Sequence, residues 1–432
     1  MNKYILFTII LFCVSCTKET TYNAAYVNGQ WFDGESFIER TLYSTDSFFT
    51  DQEPSRIDTT INLNQKYIIP PFGDAHTHNL ATSEQLNEMV SKYINDGIFY
   101  VQVLTNHASK IAEFRDEFSK PETIDVIYAN GGLTGTLGHP FVAYETLAMG
   151  LHWSAMFTQR EKVMQSRLVE NDAYWFLDNP EDVHEKWDLI LAANPDLLKI
   201  YLLRTSEHHE LINSNNMGNF GLSASTAQEI VTKAKEHGLR VVAHVENAED
   251  FRIGLDIGVD GFGHLPGYSW NSESDQEIYK LTDNDLQRAA EANVFVTPTV
   301  NFAKVYATNY GHNGTPSFDN ERLMAVNQFL KTELKRLYDA GVTIAIGSDQ
   351  HNETSMLELN YIHEELPIFD NATLLRIGTY NTPKSIFPDR LIGKFDNGYE
   401  ASFLVLDNNP LVDWSSINDI SMRIKQGHLI NP

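Results

Sequence analysis

The sequence predicts an α/β fold: a barrel of eight parallel βα units, with a small β domain beside it that draws on both ends of the chain. Three observations predict it. From Lys66 onward, short β-rich apolar runs alternate with longer helical stretches, the pattern of a parallel sheet with crossover helices. Eight such runs occur, the count that closes a barrel. Short-strand patterns without intervening helices occur near the two ends instead, at 26–63 and again from Tyr399 onward. A chain of 432 residues can bury the large core this requires.

The first segment, MNKYILFTIILFCVSC, stands apart from the fold. It has a basic start at Lys3, an apolar run from Tyr4 to Phe12, and then Ser15 and Cys16. This is the pattern of a secretory signal, and the run is too short to span a bilayer comfortably. Its ending, Cys13-Val14-Ser15-Cys16, resembles a bacterial lipobox, with Cys13 where such boxes usually carry Leu. Residues 1–16 are therefore expected to be a lipoprotein signal peptide, with the lipid carried on Cys16. The mature chain would sit in the bacterial cell envelope, in the periplasm or on the outer membrane, with simple secretion as the alternative. Cys13 and Cys16 are the only cysteines, so the mature chain has no disulfide and no thiolate ligand or nucleophile.

After the signal come short strands and turns, among them AYVNGQWFDG with an expected Asn28-Gly29 turn. The eight barrel runs follow: IIPPFGDAHTH, GIFYVQVL, IDVIYAN, LLKIYLL, LRVVAHV, VDGFGHL, NVFVTPTV and VTIAIGSD. Helical stretches separate most of them. TSEQLNEMVSKYINDG and SASTAQEIVTKAKEHG each end in a Gly stop, and the second opens on a Ser/Thr cap. ERLMAVNQFLKTELKRLYDAG is the longest. The connection between IDVIYAN and LLKIYLL is too long for a plain βα loop, and connections of that length are usually functional. At the far end, YEASFLVLDNNP and INDISMRIKQGHLI return to strand patterns that can pair with the early strands. The expected division is 17–66 with 385–432 for the β domain and 67–384 for the barrel.

Net charge is −26. That argues against nucleic acid or an anionic membrane surface as partner, since both would repel the chain. A small-molecule substrate is expected, with membrane contact only through the lipid anchor. The sequence leaves a homo-oligomer open.

Barrel enzymes place their chemistry at the C-terminal ends of the strands. The first run ends in His76 and His78, which share a face because side chains alternate along a strand. The fourth carries Lys199, the fifth His244, the sixth His264 and the eighth Asp349. Neutral imidazoles bind zinc and similar ions well, and carboxylates complete the shell. A lysine in an apolar strand needs a partner or loses its charge. A neutral lysine amine can take up carbon dioxide as a carbamate, a two-oxygen ligand that two metals can share.

This set resembles the metal-dependent amidohydrolase superfamily. The matching elements are DAHTH (74–78), Lys199 in LLKIY, His244 in VVAHV, His264 in FGHL, Asp349 in IGSD, and the tail YEASFLVLDNNPL. The family usually reads Pro-Gly-Phe-Ile/Val-Asp where this chain has Pro70-Pro71-Phe72-Gly73-Asp74, and Ala-Asp-Leu where it has Ala401-Ser402-Phe403. The resemblance implies a TIM-like (β/α)8 barrel with a β-sandwich domain built from both termini. It implies two divalent metal ions, with zinc the expected metal. His76, His78 and Asp349 would hold one ion and His244 and His264 the other, bridged by carboxylated Lys199. Asp349 would also activate the bridging hydroxide and protonate the leaving group.

The resulting expectation is an amidohydrolase, a hydrolase of amide, peptide or cyclic amide C–N bonds, with a dipeptidase- or prolidase-like substrate favoured. A mononuclear deaminase is the alternative, although its acid three residues past the strand-five histidine is here Asn247, with Glu246 one residue earlier. A non-catalytic binding lipoprotein on the same fold is the other rival. His139, in GGLTGTLGHP, either contacts substrate or sits in a plain loop; dipeptidase-like members have a similar Gly-His segment. Tyr201 shares the face of Lys199 and either touches substrate or fills the barrel. Arg204 either meets a substrate carboxylate or forms a surface ion pair. The remaining histidines, His351 among them, are read as structural.

Overall fold

All eight runs expected to be barrel strands form strands: β1 (Phe72–Thr77), β2 (Ile98–Val103), β3 (Asp125–Tyr128), β4 (Leu197–Tyr201), β5 (Arg240–His244), β6 (Gly261–Phe262), β7 (Phe295–Val296) and β8 (Thr343–Ile344). The structure is a computed structural model, and it describes residues 21–83, 85–152, 155–213, 218–270, 272–310 and 316–431. The expected signal segment, Cys16 included, lies outside the described residues. Among the described residues, no helix is long and apolar enough to cross a membrane.

The strands are parallel, but they do not form one continuous ladder. β1, β2 and β3 pair in one arc. β4 to β8 pair in order in a second. Isolated backbone bonds stitch the arcs, from Ala75 N to Ile346 O at 2.8 Å and Asp349 N to His76 O at 3.0 Å on one side and from Asp196 N to Tyr128 O at 2.8 Å on the other. The expected closed eight-strand ladder is thus corrected to two stitched arcs. One reason lies in the long connection before β4. It contributes two short strands, Gly132–Thr134 and Tyr174–Phe176, which add to the free edge of β4 and so extend the second arc.

The helices follow from local chemistry. Ser223 caps the helix Ala224–Glu236 by accepting a bond from Thr226 N at 3.2 Å. Asp319 does the same for Asn320–Asp339, accepting from Arg322 N at 3.0 Å. Both expected glycine stops have a left-handed backbone, Gly97 at φ +72° and Gly238 at +68°, and so does Gly341 at +86° after the longest helix. Ile230, Val231 and Ala234 on one helix and Val326, Leu330, Leu334 and Leu337 on the other are buried. They belong to the same apolar core as the barrel strands.

The two ends of the chain meet in one mixed sheet of eight strands. Tyr67–Ile69 is the joint: it pairs parallel with Asn23–Phe32 and antiparallel with Phe403–Leu406. Trp31 anchors the sheet's own core, with its ring 4.8 Å from Phe395 and 5.3 Å from Phe403. Two local expectations are corrected. The run IIPPFGDAHTH is not one strand; it splits at Pro70-Pro71, whose missing N–H groups cannot serve a ladder, and its first part belongs to the terminal sheet. Asn28-Gly29 is not a turn; the strand continues through it, with a register shift between Tyr26 and Gly29 and Asn28 at φ +56°. Lys425 of the sheet pairs with Asp125, the first residue of β3, at 2.6 Å. The sheet therefore docks at the N-terminal end of β3 and leaves the C-terminal strand ends free.

Candidate metal centre

The six residues singled out at the strand ends converge. His76 lies in β1 and His78 just past it, and both aim at Asp349, beyond β8. His76 Nε2 is 3.3 Å and His78 Nε2 2.9 Å from Asp349 Oδ1. One donor atom from each of the three lies within 4.8 Å of the others, close enough to share a metal ion. His264 Nε2 approaches the other oxygen, Oδ2, at 3.9 Å. The His264 ring is 4.8 Å from that of His76 and 4.5 Å from that of His244. The floor is dry: His76, Lys199, His244 and His264 are at most 3% exposed. His78 and Asp349 border the opening, with side chains 17% and 14% exposed.

Hydrogen bonds fix the tautomers. His78 Nδ1 is 2.9 Å from Thr105 O, which can only accept, so Nδ1 carries a proton and Nε2 is the nitrogen turned to Asp349. The Thr299 hydroxyl donates to Pro298 O at 2.9 Å and so accepts from His264 Nδ1 at 2.7 Å, which leaves that Nε2 turned inward too. Both rings thus turn Nε2 toward one carboxylate, Asp349, at 2.9 Å from His78 and 3.9 Å from His264. Deeper in, Lys199 Nζ and His244 Nε2 are buried with no hydrogen-bond partner among the described residues. These observations are the ones a metal centre requires, and the donor set fits divalent ions that favour nitrogen and oxygen ligands.

Protonation agrees with the geometry. Burial holds His244 down to about 3 and pushes His76 and His264 well below the ordinary imidazole range, so all three are neutral. Burial also lowers Lys199 to about 7, against the pull of Asp349. At Asp349 burial acts upward, but His76, His78 and Lys199 outweigh it and hold the carboxyl below its usual range.

Two glycines make room for this packing. A Cβ at Gly263 would lie 2.4 Å from Lys199 Nζ and 3.1 Å from His76 Cε1. At Gly347 it would lie 2.4 Å from His76 N. The glycines of FGH and IGS are therefore part of the centre.

Of the residues left open, His139 and Tyr201 join the wall. The His139 ring is 4.8 Å from His244 and 5.1 Å from Tyr201. The Tyr201 hydroxyl is 2.8 Å from Thr105 Oγ1. Of the two readings of Arg204, the structure shows the surface ion pair: its guanidinium is engaged by Glu207, at 3.0 and 2.5 Å. Asn247, the deaminase position, is engaged too, as the cap of helix Ala248–Ile257.

Sequence reasoning missed several contributors. The His351 ring is 6.2 Å from His78, near the opening, and only its place two residues after Asp349 could have hinted at that. Tyr268 stacks on His264 at 4.0 Å with an interplanar angle of 9°. Glu358, fully buried, accepts from Val300 N at 2.8 Å, Asn301 N at 2.8 Å and Asn301 Nδ2 at 2.7 Å. Asn301 Nδ2 also reaches Ser348 O at 3.0 Å. One carboxylate thereby ties the segment after Thr299, which holds His264, to the residue before Asp349. Nothing in the strand pattern points to Glu358, which sits on a helix nine residues beyond Asp349.

Comparison with known proteins agrees with this geometry. Residues 67–430 match the model of the amidohydrolase family. A stretch of 186 residues, 43% of this chain, is 25% identical to the ochratoxinase of Aspergillus niger. That stretch spans 36% of the length of the ochratoxinase. The solved A. niger ochratoxinase superposes with a TM-score of 0.71 at 16% identity, covering 95% of this chain and 96% of that one. A Xaa-Pro dipeptidase solved with bound methionine gives 0.70 at 18% identity, covering 95% and 100%. A prolidase complexed with N-methylphosphonate-L-proline gives 0.69 at 17%, covering 95% and 99%. At these identities the superpositions speak to the fold, a TIM-barrel-like α/β architecture. The family match covers well over half of the sequence, and the chain therefore belongs to the amidohydrolase family, the class of hydrolases that act on carbon–nitrogen bonds.

Proposed function

We propose that this protein is a divalent-metal-dependent hydrolase of amide-type C–N bonds, with a dipeptidase- or prolidase-like substrate. One observation carries the reading: a buried amine and a buried imidazole nitrogen with no hydrogen-bond partner among the described residues, Lys199 Nζ and His244 Nε2, lie beside the His76–His78–Asp349 cluster. His76, His78 and Asp349 would hold one ion and His244 and His264 a second, with Lys199 between them. When bound, two such ions, zinc the expected metal, supply a water nucleophile at neutral pH and polarise the carbonyl.

The chain's own residues do the rest. Lys199, neutral in part near pH 7, adds carbon dioxide through Nζ and releases a proton, which gives a carbamate. Its two oxygens replace a cation that the apolar strand disfavours. Asp349, ionised because of its neighbours, takes a proton from the water and delivers it to the leaving nitrogen. Thr105 and Thr299 keep the His78 and His264 lone pairs aimed inward. His139 and Tyr201 line the substrate side. Support for the dipeptidase-like substrate comes from the Gly-His segment at His139 and from neighbours described as a Xaa-Pro dipeptidase and a prolidase. The deaminase reading loses support, because Asn247 is used as a helix cap. The barrel would span 67–384 and the β domain, sandwich-like, 17–66 with 385–432. A lipid on Cys16 would hold the protein at the envelope, which loss of lipid labelling in Cys16→Ala would test.

Metal analysis of the purified protein tests the core of the proposal. About two equivalents are expected, falling sharply in Lys199→Ala. No metal, or metal content indifferent to His76→Ala, would overturn it. A dipeptide and cyclic-amide hydrolysis screen tests the substrate class. Full activity in Asp349→Asn would reject the assigned proton carrier, and metal-loaded protein inert on every amide would favour the binding-protein reading.

A further inference from the structure

We propose that a cavity where the terminal sheet meets the barrel is a non-catalytic binding site for a small zwitterion, a free α-amino acid. This site is separate from the metal centre and from the hydrolase reading above. The cavity holds about 500 Å³. Phe32 borders it from the end of strand Asn23–Phe32, and Arg40 from the next strand, Phe37–Thr45. Arg376 and Tyr380 face it from the last helical segment of the barrel, and Lys394 and Asp396 from the connection that follows. Pro70 also lines it and lies just before β1, at the end of that strand opposite His76.

Charges of both signs line this cavity without closing on one another. Arg40 is half-buried and makes one hydrogen bond, from Nη2 to Phe395 O at 3.2 Å. Its Nε is buried with no partner among the described residues, and a buried donor left unmade is costly. Arg376, also half-buried, donates only to neutral oxygens: Gly34 O at 3.0 Å, the Tyr338 hydroxyl at 3.0 Å and the Thr373 hydroxyl at 3.3 Å. Lys394 Nζ stands 4.6 Å from the centre of the Tyr380 ring. Among the described residues none of these three cations forms an ion pair. The acids of the cavity are Asp33, Glu35 and Asp396, all exposed at its rim. Asp33 is occupied by Glu35 N, Ser36 N and Ser36 Oγ. The carboxylates of Glu35 and Asp396 take no hydrogen bond or ion pair among the described residues. Burial holds the Arg40 guanidinium below its ordinary range, against the pull of Asp396, Asp33 and Asp51 from beyond ion-pair distance.

A ligand that carries both charges fills this gap, with its carboxylate on Arg40 and Arg376 and its ammonium toward Glu35 and Asp396. A bare anion fits less well, because the rim acids and the net charge of −26 repel it. Phe32 and Phe395, both buried, line the cavity and suit an apolar side chain. The backbone points the same way. The helix Asn371–Arg376 widens into a π turn at Ile377–Asn381, and Thr379 and Tyr380 of that turn line the cavity. Turns of this kind are frequent at functional sites.

Isothermal titration of the metal-loaded full chain tests the site, with L-leucine, N-acetyl-L-leucine, L-leucinamide and inorganic phosphate as probes. L-Leucine should bind saturably, and more tightly than each of the other three by about tenfold or more, the worth of one charge-assisted bond. Arg40→Gln should bring L-leucine down to the level of L-leucinamide. The double variant Glu35→Gln with Asp396→Asn should bring it down to the level of N-acetyl-L-leucine. A metal centre can itself hold an amino acid, so His76→Ala is the discriminating variant, and binding in the cavity keeps its affinity there. No saturable binding of L-leucine overturns the proposal, and so does binding that disappears in His76→Ala. Phosphate or N-acetyl-L-leucine binding as tightly as L-leucine overturns it as well, since the cavity would then be a plain anion site. If circular dichroism shows that Arg40→Gln is unfolded, the exposed double variant decides: unchanged affinity for L-leucine there rejects the site.

Discussion

Gly263→Ala separates the stability of the fold from the integrity of the metal centre. The added Cβ would stand 2.4 Å from Lys199 Nζ and 3.1 Å from His76 Cε1. Ordinary carbon contacts begin near about 3.4 Å, so the lysine tip must retreat by about 1 Å and the imidazole by a few tenths. The lysine tip ends a flexible side chain, so the cost to folding falls at the low end of the overpacking range, about 1–3 kcal/mol. Metal ligation is far less tolerant, since donor atoms must sit within about 0.2 Å of their proper distances. The expected result is a folded variant with far-UV circular dichroism like the wild type, a modest fall in Tm, and loss of at least one metal equivalent after chelation and reloading. Gly238→Ala is the control: it is left-handed at φ +68° and its Cβ would meet nothing within 4 Å. It should lose stability, about 1–2 kcal/mol for a forced left-handed residue, and keep its metal. Wild-type metal content and affinity in Gly263→Ala would refute the assignment of Lys199 to the centre.

Other outcomes follow from the same geometry. Lys199→Met removes a buried amine with no hydrogen-bond partner among the described residues, so the metal-free protein should be as stable as the wild type or more so while metal binding falls; a strongly destabilised variant would show that the amine has a structural partner. Thr299→Val keeps shape but removes the acceptor for His264 Nδ1, and metal affinity should drop about tenfold to a hundredfold with little change in Tm; an unchanged titration with zinc would contradict it. Burial raises Glu358 to about 7 from an ordinary 4.5, against the donors at Asn301 and Val300. A raised carboxyl stabilises the fold fully below the unfolded value and loses that contribution as pH climbs through the folded one. The difference of about 2.5 units corresponds to about 3 kcal/mol between about pH 4 and pH 8. Urea midpoints of metal-free wild type should therefore fall with rising pH relative to Glu358→Gln, and parallel curves would reject that role for Glu358.

The parts of the molecule that were legible in the sequence share one property: a local pattern fixes them. Strand alternation places His76 and His78 on one face, and glycine after a helical run ends the helix at Gly97, Gly238 and Gly341. What was not legible depends on contacts between distant segments. Asn28-Gly29 has the composition of a turn, but pairing with Phe37–Thr45 on one side and Thr59–Asn62 on the other keeps it inside a strand as a bulge. The role of Glu358 exists only because its helix packs against the segment after β7.

The least predictable feature, the failure of the barrel to close as one ladder, follows from the centre itself. β1 and β8 should complete the ring, yet among the described residues their segments share isolated bonds rather than a ladder, Ala75 N to Ile346 O and Asp349 N to His76 O. Asp349 is left-handed at φ +56°, a conformation that costs a non-glycine residue about 1–3 kcal/mol. A regular strand would alternate past this point and carry the carboxylate along β8. The left-handed turn, together with the close approach of Gly347 to His76, brings the carboxylate onto both imidazoles instead. Thr299, also left-handed at φ +50°, does the corresponding work for His264 at the end of β7. The seam is therefore open where the ligands need the backbone to leave the ladder. A substitution that regularised the β1–β8 pairing would be expected to stabilise the barrel and disable the site together.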